Sequence, residues 1–174
     1  MHNYFNQLTD KKIKILIPGC GNAYEADYLI GLGFKNVFVL DWSENIISEF
    51  KKRLPKFPVK NIINGDFFIH KGKYDLIIEQ TFFCAIDRNL RAQYAKKVYD
   101  LLNPGGKLVG LLFNHEFDSN SPPFGGSEQE YKNYFKPYFE FKNFSTAFNS
   151  IKPRAGRELF IILKKLILLH SRFI

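Results

Sequence analysis

Two cysteines in 174 residues, Cys20 and Cys84, are too few for a disulfide framework, and their separation matches no zinc-ligand spacing. No apolar stretch reaches the twenty or so residues that a membrane-crossing helix needs, and the first dozen, MHNYFNQLTDKK, carry no signal-peptide core. These absences exclude a disulfide-stapled secreted domain, a zinc module and a membrane span, and the expected location is cytoplasmic. None of the four histidines, His2, His70, His115 and His170, lies in a motif, so no catalytic dyad or metal site is expected. There is no internal repeat, and the one loop of linker composition is DSNSPPFGGS, residues 118–127. Acid is scarcer than base, giving a formal charge of +8. Lysine pairs at Lys11, Lys51, Lys96 and Lys164 fall on expected helix faces or ends, without the interleaved aromatics of a nucleic-acid module. That pattern argues for a solvated surface and against nucleic acid as a partner.

What is abundant is apolar and aromatic: 45% hydrophobic content with nineteen phenylalanines, enough for one sizeable core. The expectation is a single domain over residues 1–174 with a short amino-terminal arm, 1–12, existing as a monomer or weak dimer. Apolar runs at 13–17, 36–40, 59–63, 74–78 and 107–113 alternate with segments of helical period, the order of crossover units on a parallel sheet. Residues 43–54 place Ile46, Ile47, Phe50 and Leu54 on one face behind a Ser43 cap. Residues 88–102 do the same with Leu90, Tyr94, Val98, Leu101 and Leu102 behind Asp87. Ser127 and Glu130 form a capping-box signature, and YFEFKNFSTAF and RELFIILKKL, joined around KPRAG, predict an antiparallel pair. The sum is an α/β chain with a seven-stranded, mostly parallel open sheet ending in an antiparallel hairpin. Such sheets bind ligands beyond the carboxyl ends of their central strands.

The turn after the first run, PGCG, holds Gly19 and Gly21 but has Tyr24 where a dinucleotide fingerprint needs its third glycine. Asp41 ends the second run at the distance where a ribose hydroxyl is read. A tight strand-to-helix turn alone would also explain the two glycines. GDFF then sets Asp66 and Phe67 where a carboxylate and an amide can meet an adenine edge, Glu79 tips the fourth run, and LLNPGG turns a helix back into the sheet. A nucleoside with a charged amino-acid tail and no phosphate suits these parts better than NAD does; that cofactor is S-adenosylmethionine.

PGCG at 18–21, DLI-x-E-x-TFFCAI at 75–86, LR at 90–91, LLNPGG, PPF at 122–124 and GRE at 156–158 occur in an order that resembles the thiopurine S-methyltransferase family, from residue 13 to about 165. TFFCAID is the most specific of these pieces. The resemblance implies a class I methyltransferase fold, Rossmann-like and three-layered, with S-adenosylmethionine as donor and a small thiol, thiopurine, halide or chalcogen as acceptor. It assigns Pro18, Gly19, Cys20 and Gly21 to the methionine end of the cofactor, Asp41 to the ribose, Trp42 to the adenine face, and Asp66 with Phe67 to the adenine edge. It sets Glu79 and Thr81 beside the sulfonium and the substrate entrance, and Arg157 in the steering of the acceptor. One member each of Phe67/Phe68 and Phe82/Phe83 is expected on a water-excluding wall, and Cys84 as a packed residue. Ala23 stands where the family commonly has glycine. The family's amino-terminal arm is aromatic-rich, and here Tyr4 and Phe5 are the candidates for a reduced lid. An RNA or protein methyltransferase, or a lid-less cofactor-binding module, remain the alternatives.

Overall fold

The computed structural model describes residues 1–167, so His170 lies outside the described residues. Among the described residues seven strands form one sheet: β1 (Ile15–Pro18), β2 (Val37–Asp41), β3 (Ile62–Asn64), β4 (Tyr74–Gln80), β5 (Leu102–Phe113), β6 (Phe139–Thr146) and β7 (Glu158–Lys165), in the spatial order 3-2-1-4-5-7-6. The first five are parallel; β7 runs antiparallel between β5 and β6. Chain order reverses beside β1, whose neighbours are β2 and β4, and the crevice beyond their carboxyl ends is the expected ligand position.

Helices α1 (His2–Phe5), α2 (Tyr24–Gly31) and α3 (Glu44–Arg53) cover one face of the sheet, and α4 (Arg91–Leu101) with α5 (Glu128–Phe135) covers the other. The cores between them are built from alternate strand residues. Ile15 and Ile17 point to the first core and Leu16 and Ile77 to the second, as the two-residue period of a strand requires. Ser43 caps α3 as expected, its hydroxyl accepting the Ile46 amide at 3.4 Å, and Glu44 with Lys51, Lys52 and Arg53 match the helix dipole at the two ends.

Several elements depart from the sequence pattern. The run at 59–63 yields only a three-residue strand, because Val59–Asn61 close a 3₁₀ turn in which the Asn61 side chain donates to the Val37 carbonyl at 3.0 Å. The segment behind Asp87 opens with another 3₁₀ turn before α4, and its inner face includes Arg91 beside Tyr94, Val98 and Leu101. Asn103 to Gly106, expected as a turn before the strand, already belong to β5, with a register irregularity opposite Tyr74 and Leu76. The Ser127 hydroxyl accepts the Glu130 amide at 3.3 Å, while the Glu130 carboxylate turns to Arg91. Phe5 is fully buried among the residues beneath α2, and Tyr4 packs edge-on against Phe160. The reduced lid expected from these two rings is therefore corrected: Phe5 is core, and Tyr4 is half-buried against the same cluster beside an opening lined by Leu8 and Gly105, away from the glycine turn.

Candidate active site

The strand tips are stitched together by one carboxylate. Asp41, the last residue of β2 and nearly buried, accepts the Gly21 amide at 3.2 Å and the Ser43 amide at 3.0 Å, so it joins the glycine turn to the start of α3. The Cys20 amide donates to the Leu40 carbonyl at 3.1 Å, which presses the same turn onto β2. Gly19 and Gly21 have φ of +55° and +49°, a region that costs other residues about 1 kcal/mol or more. Ala23 adopts it as well, at +48°, so the turn before α2 keeps the left-handed shape of a glycine with an alanine in place.

Around these tips opens a cleft of about 460 Å³ lined by Gly19, Asp41, Trp42, Asp66, Phe67 and Thr81 from the expected set. Trp42 is 83% exposed, a flat apolar face free to meet a planar ligand, while the Asp66 carboxylate accepts the Phe68 amide at 2.8 Å. Sequence reasoning had not assigned the remaining lining residues Leu40, Gly65, Ala85 and Ile86. Of the phenylalanine pairs, Phe67 and Phe68 both reach the wall, whereas only Phe82 of the second pair does and Phe83 is core. Phe82 meets Phe67 at 5.2 Å between ring centroids and lies across Gly19, where a Cβ would stand 2.2 Å from its Cδ2.

Other expected residues lie elsewhere. Pro18 and Cys20 are buried and shape the turn without lining the cleft, and burial with the neighbouring Asp41 carboxylate pushes the Cys20 thiol up to about 12. Gly21 faces a separate opening beside Asn22 and Arg53. Arg157 is exposed and is not among the residues lining the cleft, and its carbonyl accepts the Asn114 amide at 2.8 Å. His115 is held in the loop after β5, 3.3 Å from that same carbonyl. Cys84 is buried as expected, its thiol also pushed up to about 12.

Glu79 requires the largest correction. It is fully buried behind the wall, with no surface open to the cleft: Oε1 accepts the Phe82 and Phe83 amides at 2.8 and 2.9 Å, and Oε2 accepts the Tyr94 hydroxyl at 2.5 Å. Desolvation raises its carboxyl to about 7 against the opposing pull of these three donors. The chain returns over Glu79 because Thr81 has φ of +64°, an outlier for a β-branched residue. A wider opening of about 690 Å³ between Asp87–Asn89 and Phe117–Asn120 contains neither the glycine turn nor an acidic strand tip.

Fold and cleft together define a class I S-adenosylmethionine-dependent methyltransferase. Two solved structures share the architecture: an S-adenosylmethionine-dependent methyltransferase from Methanosarcina mazei, with TM-score 0.78, 18% identity and coverage of 96% of this chain and 99% of that one, and a TehB-like methyltransferase from Corynebacterium glutamicum, with TM-score 0.74, 16% identity and coverage of 95% and 86%. The chain belongs to the thiopurine S-methyltransferase family, whose profile matches residues 1–165. It is 32% identical over 165 residues to a probable thiol methyltransferase of Arabidopsis thaliana and 30% identical over 154 residues to a thiocyanate methyltransferase of Brassica oleracea. These alignments cover 91% and 83% of this chain and 72% and 66% of the two plant proteins.

Proposed function

We propose that this chain methylates a small, soft nucleophile, a thiol or a related sulfur, selenium or halide species, by in-line displacement. The observation that carries the reading is the composition of the cleft: two carboxylates at successive strand tips, an exposed indole, and an otherwise aromatic and aliphatic wall. The residues fit an adenosyl cofactor. Asp41 uses its two oxygens on backbone amides yet retains lone pairs for ribose hydroxyls, Trp42 offers a face for adenine, and Asp66 an acceptor at the edge. When bound, S-adenosylmethionine supplies an electrophilic methyl group on a sulfonium. Phe67, Phe68 and Phe82 exclude water from the nucleophile, and because positive charge vanishes during transfer, alignment and desolvation contribute more than a proton-transferring side chain. A thiolate or halide needs no base, in keeping with a wall on which Asp41 and Asp66 are the titratable groups.

Isothermal titration with S-adenosylhomocysteine should give one site, and Asp41→Ala should abolish it. Unchanged binding in that variant removes the ribose assignment. Labelled cofactor offered with thiols, iodide, selenite and tellurite should transfer label to at least one of them; intact binding without transfer to any would favour a cofactor-binding module.

A further inference from the structure

Buried behind the cleft wall, Glu79 touches no solvent, yet it is the acceptor for both amides at the start of the segment that supplies Phe82, Ala85 and Ile86 to that wall. We propose that Glu79 is a positioning residue: its ionised carboxylate, braced by Tyr94, latches the 81–86 segment and so holds Phe82 across Gly19. The assignment rests on the cofactor reading above only for its consequence, not for the latch itself.

The geometry is specific. One oxygen takes two consecutive amides, which is possible only because Thr81 reverses the chain with a positive φ, and the other takes a phenol from α4. β5 makes room with Gly110, where a Cβ would stand 2.2 Å from the Glu79 carbonyl and 2.4 Å from its Cβ. The ionised form is the effective latch, since hydrogen bonds to a charged acceptor are roughly twice as strong as neutral ones. Protonation would weaken the two amide bonds and place a second proton between Glu79 and Tyr94.

The groups around the carboxylate leave it to titrate by itself. Tyr94 on α4 and Cys84 in the segment are both pushed up by burial and stay neutral near pH 7. Arg91, one turn earlier on α4, has its charge taken by Glu130 at 2.8 Å, and Tyr131 of α5, on the far side of Phe83, is also raised. β5 contributes an uncharged glycine, Gly110, opposite Glu79. With the carboxyl raised to about 7, the latch strengthens as pH rises through neutrality and weakens below it.

Two readouts test this. Exchange of the Phe82 and Phe83 amides, divided by the intrinsic rate, is followed in the ligand-free protein from about pH 6 to about pH 8.5, alongside S-adenosylhomocysteine affinity over the same range. Both protection and affinity should rise together through about pH 7, affinity by on the order of tenfold. Glu79→Gln should flatten both curves. Tyr94→Phe should move the midpoint to higher pH, because the hydroxyl that favours the carboxylate is gone; this variant decides the matter alone if the glutamine form does not fold. A Glu79→Gln protein with the same rise, or a Tyr94→Phe protein with an unmoved midpoint, overturns the latch. Amide protection that follows the latch while S-adenosylhomocysteine binds at no pH keeps the latch and removes the cofactor reading.

Discussion

Thr81 shows how much of the site is decided by one residue's backbone. Its side chain is exposed at φ +64°, and among the described residues its hydroxyl donates to the adjacent Gln80 carbonyl alone, at 2.6 Å, a weak offset to a conformation that suits glycine. Thr81→Gly should therefore raise unfolding free energy by about 1 kcal/mol, measured by urea denaturation, while weakening methyl transfer by loosening the segment behind it. A loss of stability would show that the threonine is held by contacts stronger than its strain. At this scale Asp41 and Asp66 were legible in the sequence, because a strand followed by an acid at the right distance reaches the cleft whatever the loops do, whereas Trp42 came only with the family resemblance. Glu79 was legible only as a strand-tip acid. Its burial depends on the reversal at Thr81 and on Gly110 across the ladder, neither of which has a signature in residue spacing.

Among the elements, α4 and α5 are joined by a fully buried arginine. Arg91 donates to Glu130 at 2.8 Å and to the Phe124 and Gly125 carbonyls at 3.2 and 2.9 Å, and its guanidinium lies over the Phe83 and Tyr131 rings. It thus fixes the loop after β5 to the segment after β4. The two partners are unequal: Arg91 has no exposed side-chain surface, whereas Glu130 keeps 28% of its own. Removing Glu130 strands a charge that cannot reach water, and Glu130→Ala should cost about 3 kcal/mol. Arg91→Met leaves a carboxylate able to rehydrate and should cost less, with both read from denaturant midpoints at constant slope. Equal losses would mean that the two backbone carbonyls, and not the carboxylate, balance the arginine. The sequence pattern identified α3, α4, α5 and all seven strands by period and caps, since those signals are local. It missed Arg91 as an inward residue because an arginine at a core position is recognisable only through partners 33 to 39 residues away.

For the whole molecule, the carboxylate that would order the cleft also lowers the stability of the fold. Glu79 is raised from 4.5 to about 7, so between those values the folded chain binds a proton that the unfolded chain has released. Stability must then fall as pH rises across that window and level off above it, with a slope of at most about 1.4 kcal/mol per pH unit. The formal charge of +8 acts in the opposite sense at low pH, through self-repulsion, and would mask the effect in the wild-type curve alone. Glu79→Gln removes the titration and leaves the remaining charge untouched, so the difference between the two proteins isolates it. Urea denaturation at a series of pH values should show wild-type stability, relative to the glutamine variant, declining between pH 4.5 and about 7 and constant on either side. A difference that is flat throughout would mean the carboxyl titrates alike in both states. One that grows with pH would mean the Phe82, Phe83 and Tyr94 donors outweigh desolvation, which would lower the carboxyl below its ordinary range and keep the cleft wall latched at every physiological pH.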